Sequence, residues 1–127
     1  MEEDGFKAFL EQSQLCIDIG FDWDNKERII TQIRKELAEV EEALTNNESS
    51  ERIQEELGDV IHACCWLIRY LGFDPNETLA NASAKAIQRT QMVGQVFKEQ
   101  KFDAKNSNDF EQKLLYWKQV KETLSKK

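Results

Sequence analysis

Apolar residues recur along this chain at intervals of three and four, with charged residues between them. The clearest run is Ile30, Ile33, Leu37, Val40 and Leu44, the period of an amphipathic helix. It predicts a helix over residues 26–44. A second stripe, Ile53, Leu57, Val60, Cys64, Leu67 and Leu71, widened by Ile61 and Ile68, predicts another over 51–71. Between them Thr45-Asn46-Asn47-Glu48-Ser49-Ser50 reads as a short polar turn, with Ser49 or Ser50 available as a helix cap. Gly72 supplies a helix stop. Asp74-Pro75 supplies a cap and a first-turn proline for a fourth helix that extends to residue 97. Upstream, Phe6, Phe9, Leu10 and Ile17 mark a first helix over 5–19, followed by a loop from Gly20 to Asn25 carrying Phe21 and Trp23. Residues 101–108 read as a loop. A last helix from Asp109 carries Phe110, Leu114, Trp117, Val120 and Leu124.

The pattern therefore describes an all-α bundle of about five helices around a central antiparallel hairpin. One Pro and five Gly in 127 residues leave few breaks, which favours long helices. The length predicts a single domain, 1–127. A chain this short builds a thin core, so self-association is expected. The net charge of −7 argues against a nucleic-acid surface, which needs clustered cations. It leaves a nucleotide substrate open, because carboxylates take up divalent metal and the metal carries phosphate. Cys16, Cys64 and Cys65 lack metal-finger spacing and read as packed thiols in a reducing compartment. The start Met1-Glu2-Glu3-Asp4 lacks the positive flank of a signal peptide. The apolar run over 60–71 contains His62 and Arg69 and is too short to cross a bilayer. No membrane association and a cytoplasmic location are expected.

Two acidic pairs carry the chemistry: Glu36 with Glu39, and Glu56 with Asp59. Each is spaced i, i+3, so its members share one side of a helix. The short turn makes the two helices antiparallel neighbours about 8–10 Å apart. In such a hairpin, facing residues have position numbers of constant sum. Positions 36 and 59 share their total with 39 and 56, and its midpoint falls between Asn47 and Glu48, inside the turn. Glu36 should lie level with Asp59, and Glu39 with Glu56. Each precedes a stripe residue (Leu37, Val40, Leu57, Val60), which puts all four at the edge of the seam. Four gathered carboxylates repel one another and resist losing water. Hard divalent cations among them offset both costs. A solvated acidic face remains the alternative, since acids are frequent in this chain.

His62 follows Asp59 by one turn. With a single His and an Asp where ferritin-like bundles use Glu, it reads as a packed or partly exposed imidazole rather than a di-iron ligand. Lys85 and Arg89, spaced i, i+4 on the fourth helix, suit phosphate oxygens but taken alone describe a solvated basic face. Trp117 and Lys121 share that spacing; taken alone, they read as a core Trp and a solvated Lys.

These pieces resemble the MazG family of nucleotide pyrophosphohydrolases. The family's E-E-x-x-E and E-x-x-D stretches correspond to Lys35-Glu36-Leu37-Ala38-Glu39 and to Glu56-Leu57-Gly58-Asp59. The Gly20-Phe21-Asp22-Trp23 loop, Lys85-x-x-x-Arg89 and Trp117-x-x-Val120-Lys121 are similar in turn, covering residues 16–121, weakest over 92–112. The resemblance implies Mg²⁺, with Mn²⁺ as a substitute, on Glu36, Glu39, Glu56 and Asp59. It implies triphosphate contacts from Lys85 and Arg89, and Trp117 and Lys121 closing over the nucleotide. Trp23 and Phe21 are expected lining residues. It further implies cleavage of a (deoxy)nucleoside triphosphate between the α and β phosphates to monophosphate and pyrophosphate; the attacking water is expected at Glu36 or Glu39. Nucleotide-pool cleansing or control is the expected purpose. A homodimer or homotetramer would complete each core. Lys35 departs from the pattern and removes one carboxylate. Two rivals stay open: a dUTPase-like or phosphoribosyl-ATP-cleaving relative, and a non-catalytic acidic helical module.

Overall fold

The computed structural model describes residues 4–125. Met1, Glu2 and Glu3, most of the acidic start, lie outside the described residues. The elements are α1 (Gly5–Asp18), α2 (Lys26–Thr45), α3 (Ser50–Tyr70), α4 (Pro75–Glu99) and α5 (Phe110–Ser125), with no strand among the described residues. The chain forms an all-α protein, as its periodicity indicated, in two compact units. The first reaches Thr78 and the second begins at Leu79.

Local chemistry fixes the helix ends. Asp4, Asn25 and Ser49 cap α1, α2 and α3, their side-chain oxygens accepting first-turn backbone N–H groups that have no partner inside the helix. Asp74 and Asp109 do the same for Glu77 and Gln112, at 2.8 and 3.0 Å. Gly72 adopts φ +90°, and the N–H of Phe73 reaches back to the carbonyl of Ile68 at 3.0 Å. That closure requires a left-handed residue, which glycine supplies without steric cost.

In the first unit α2 and α3 pack as an antiparallel pair, joined by the turn through Asn46 and Asn47. The core gathers Phe9, Ile29, Cys65 and Trp66, with Phe6, Cys16, Trp23, Ile33 and Leu67 packed against it. The Phe9 ring stands edge-on to Trp66 at 5.6 Å and to His62 at 5.3 Å, a favoured aromatic geometry. His62 is exposed on its outer side and pairs with Gln12. Its role here is to tie α1 to α3.

The seam keeps Ile33, Val40, Ile53 and Val60 of the apolar stripes but elsewhere takes the preceding residue, Ile29, Glu36, Ala43, Glu56 and Ala63 in place of Ile30, Leu37, Leu44, Leu57 and Cys64. On α2 the inward positions are Ile29, Ile33, Glu36, Val40 and Ala43; on α3 they are Ile53, Glu56, Val60 and Ala63. Leu37 and Leu57, assigned to the seam by the sequence pattern, are 49% and 46% exposed. Leu44 and Leu71 are exposed as well. Two glutamates thus occupy seam positions while leucines beside them face outward.

In the second unit Val93 and Val120 are buried. Phe97, Phe102 and Tyr116 form a triangle of rings with centroids 5.3–5.6 Å apart. Phe110 and Leu114 of the last helix are exposed.

Ile29 is completely buried, so Ile29→Ala removes packed volume that neighbours cannot refill. A loss of about 2–5 kcal/mol in unfolding free energy is expected from denaturant titration.

Candidate metal centre

Glu36, Glu56 and Asp59 each bring a carboxylate oxygen to within 4.8 Å of the other two. Glu39 stands close enough to Glu36 and Glu56 to act on both. The matched registers of the two helices therefore bring three of the four acids into one cluster, with Glu39 next to it rather than in it. The four do not share one environment. Glu56 is 4% exposed, Glu36 and Glu39 are half-buried, and Asp59 is exposed. The edge position expected for all four is corrected: Glu36 and Glu56 lie in the seam. Among aliphatic and small neighbours, a helix-packing argument based on hydrophobicity alone gives that place to Leu37 and Leu57.

Each seam glutamate is held from one turn upstream. Gln32 Nε2 donates to Glu36 Oε1 at 2.6 Å. Arg52 Nη2 lies 2.6 Å from Glu56 Oε1. The other oxygen of each, Glu36 Oε2 and Glu56 Oε2, is buried without a hydrogen-bond partner. A buried, unpaired carboxylate oxygen is costly. Burial is the main reason both carboxyls hold their protons above the ordinary range. Gln32 opposes this at Glu36 and Arg52 at Glu56, while Glu39 and Asp59 reinforce it. A divalent cation supplies what these oxygens lack: a partner and positive charge. The residues present fit a hard cation with oxygen ligands.

Neither Gln32 nor Arg52 emerged from the motif reading. Their signal was in the sequence as a donor four residues before each seam glutamate, the spacing at which helical side chains meet. Lys35, the departure from the acidic pattern, is exposed. Glu55, beside Glu56, is 3.5 Å from Arg52.

Trp23 is half-buried and lines two hollows. One, about 210 Å³, also involves Gln12, Cys16, Phe21, Asp22 and Trp66. The other adds Glu27, Arg28, Thr31 and Gln32. Trp23 thus stands between an aromatic cavity and the residue that holds Glu36. Lys85 and Arg89 belong to the second unit, where they line a hollow with Gln88, Leu124 and Ser125. Trp117 is half-buried on α5. Exposed Lys121 lines another hollow with Lys118, Glu122 and Ser125.

In class, the first unit is an all-α hairpin with a carboxylate centre built into its seam. Residues 24–94 match the family model of the MazG nucleotide pyrophosphohydrolase domain; that is more than half of the chain, which therefore belongs to the MazG family. Over 71 residues it is 35% identical to the nucleoside triphosphate pyrophosphohydrolase/pyrophosphatase MazG of Thermotoga maritima, covering 56% of this chain and 26% of that protein. The chain thus matches about a quarter of that relative's length.

The raised carboxyls set a pH dependence. A carboxyl whose folded-state pKa exceeds its ordinary value of 4.5 stabilises the fold at low pH, and that contribution is lost as pH rises from 4.5 through the raised value. In chelator, Glu36→Gln and Glu56→Gln should each raise the thermal midpoint, with a gain that grows from pH 4.5 upward. Melting curves across pH check this; a gain that shrinks with rising pH would contradict it.

Proposed function

We propose that the chain hydrolyses (deoxy)nucleoside triphosphates to a monophosphate and pyrophosphate with Mg²⁺, Mn²⁺ substituting. The observation carrying this reading is the pair of buried, unpaired glutamate oxygens beside Asp59 and Glu39. Membership of the MazG family supplies the substrate class. The Thermotoga maritima relative, named a nucleoside triphosphate pyrophosphohydrolase, supports it over the matched segment.

Glu36, Glu39, Glu56 and Asp59 would hold the cation. When bound, it neutralises charge on the phosphates and makes water a better nucleophile. The chain's own residues do the rest. Glu36 or Glu39 orients the attacking water. Trp23, with Phe21 beside it, offers an aromatic wall for the base. Lys85 and Arg89 take phosphate oxygens, Arg by paired N–H donors and Lys as a point charge. Trp117 and Lys121 close over the nucleotide. On this reading residues 1–127 work as one functional domain, in the cytoplasm, on the nucleotide pool. No helix among the described residues is long and apolar enough to cross a membrane. A homodimer or homotetramer accounts for the outward Leu37, Leu44, Leu57 and Ile61 on the hairpin, a face of the sort that subunit contacts cover.

Separated products distinguish the readings: equal monophosphate and pyrophosphate, dependent on Mg²⁺, are expected, and diphosphate with orthophosphate would reject the proposal. Glu56→Gln should lower turnover by at least about a hundredfold, a ligand costing no less than an outer-shell partner, with helicity unchanged. A substrate panel separates dUTPase-like and phosphoribosyl-ATP-cleaving relatives. Sedimentation tests assembly, and Leu37→Asp combined with Leu57→Asp should shift it toward monomer.

A further inference from the structure

We propose that Arg52 and Gln32 are positioning residues that restrict Glu56 and Glu36 to ligation through one oxygen each, setting the centre to prefer Mg²⁺ over Ca²⁺. The inference rests on the carboxylate cluster being a divalent-cation site. It concerns what the cluster selects.

Both glutamates are arranged alike. Oε1 is taken by a side-chain donor four residues upstream at 2.6 Å, and Oε2 is buried with no partner. Glu56 is almost wholly enclosed, so it has little room to turn its plane. Arg52, half exposed, has further acids around it. Its Nη2 meets Glu56, its Nη1 lies 3.5 Å from Glu55, and its Nε lies 3.9 Å from Glu48. Glu55 on α3 and Glu48 in the preceding turn thus flank the guanidinium that meets the buried carboxylate.

A carboxylate oxygen that already accepts a strong hydrogen bond keeps a second lone pair but is a weaker and less freely oriented ligand, so a cation meets chiefly the other, bare oxygen. Ca²⁺ takes six to eight oxygens at about 2.3–2.6 Å, often with carboxylates bidentate. Mg²⁺ takes six near-octahedral positions at about 2.0–2.1 Å and keeps several waters. One oxygen from each seam glutamate, with Asp59 exposed to solvent, suits the second pattern and starves the first. Arg52 also brings positive charge, which weakens attraction for every divalent ion alike. The charge changes both affinities, whereas the occupied oxygen changes their ratio. Gln32 has the donor without the charge, and it reaches Glu36 from the same i, i+4 spacing.

Calorimetric titration of the full chain with Mg²⁺ and with Ca²⁺, without nucleotide, tests this. Arg52→Met should raise the Ca²⁺-to-Mg²⁺ affinity ratio about tenfold, the scale of one charge-assisted hydrogen bond. Arg52→Gln should tighten both ions while leaving the ratio close to wild type. Gln32→Leu, which alters no charge, should raise the ratio on its own and keeps the test available if Arg52→Met does not fold. A residue that merely stabilised the helix would not move the ratio. Wild-type binding with an unchanged ratio in both Arg52→Met and Gln32→Leu overturns the proposal and leaves the metal site standing. No wild-type heat from either ion overturns both.

Discussion

Two glutamates share the α2–α3 seam with valine, isoleucine and alanine, each with one oxygen bound and the other bare. Desolvation of these side chains is the constraint around which the first unit is arranged. It explains why Gln32 and Arg52 sit one turn before them, and why the carboxyls hold protons above the ordinary range. Small residues are buried at both ends of the same seam, Ala43 beside the turn and Ala63 away from it. The unfavourable burial is tolerable because the surrounding core, led by Ile29, Phe9, Cys65 and Trp66, is built independently of it.

Local rules and the global fold agree almost everywhere in this chain and conflict at the carboxylates. Caps, turn residues and apolar spacing all favour the helices that form. At Glu36 and Glu56 the residue type contradicts its place. Such conflicts concentrate where a protein binds or reacts, because function requires groups that stability alone would discard. The raised pKa of Cys65, caused first by burial and then by Cys64, carries no comparable arrangement of unpaired groups.

How much of this was legible follows from what each signal measures. Periodicity reads helix phase, and it placed α1 to α5 to within a residue or two. Asp74-Pro75 and Gly72 are punctuation with a steric cause, so those boundaries were readable outright. The hairpin register came from the turn's position and the pairing of acids. Facing direction was less legible. Adjacent residues on a helix differ by about 100°, and a hydrophobic stripe gives the inner place to Leu37 and Leu57. It has no means of preferring Glu36 and Glu56, whose inward position depends on Gln32, Arg52 and the cluster as a whole. Lys85, Arg89, Trp117 and Lys121 were readable as spaced pairs on helices. What they meet depends on tertiary placement, which spacing does not encode.

The central claim is that Glu36, Glu39, Glu56 and Asp59 form one cation centre. A crystal grown with Mn²⁺, with data collected at the manganese edge, tests it most directly. An anomalous peak is expected among these four side chains, in contact with Glu36 and Glu56. Well-ordered carboxylates with no peak between them, or a peak held elsewhere on the chain, would contradict it.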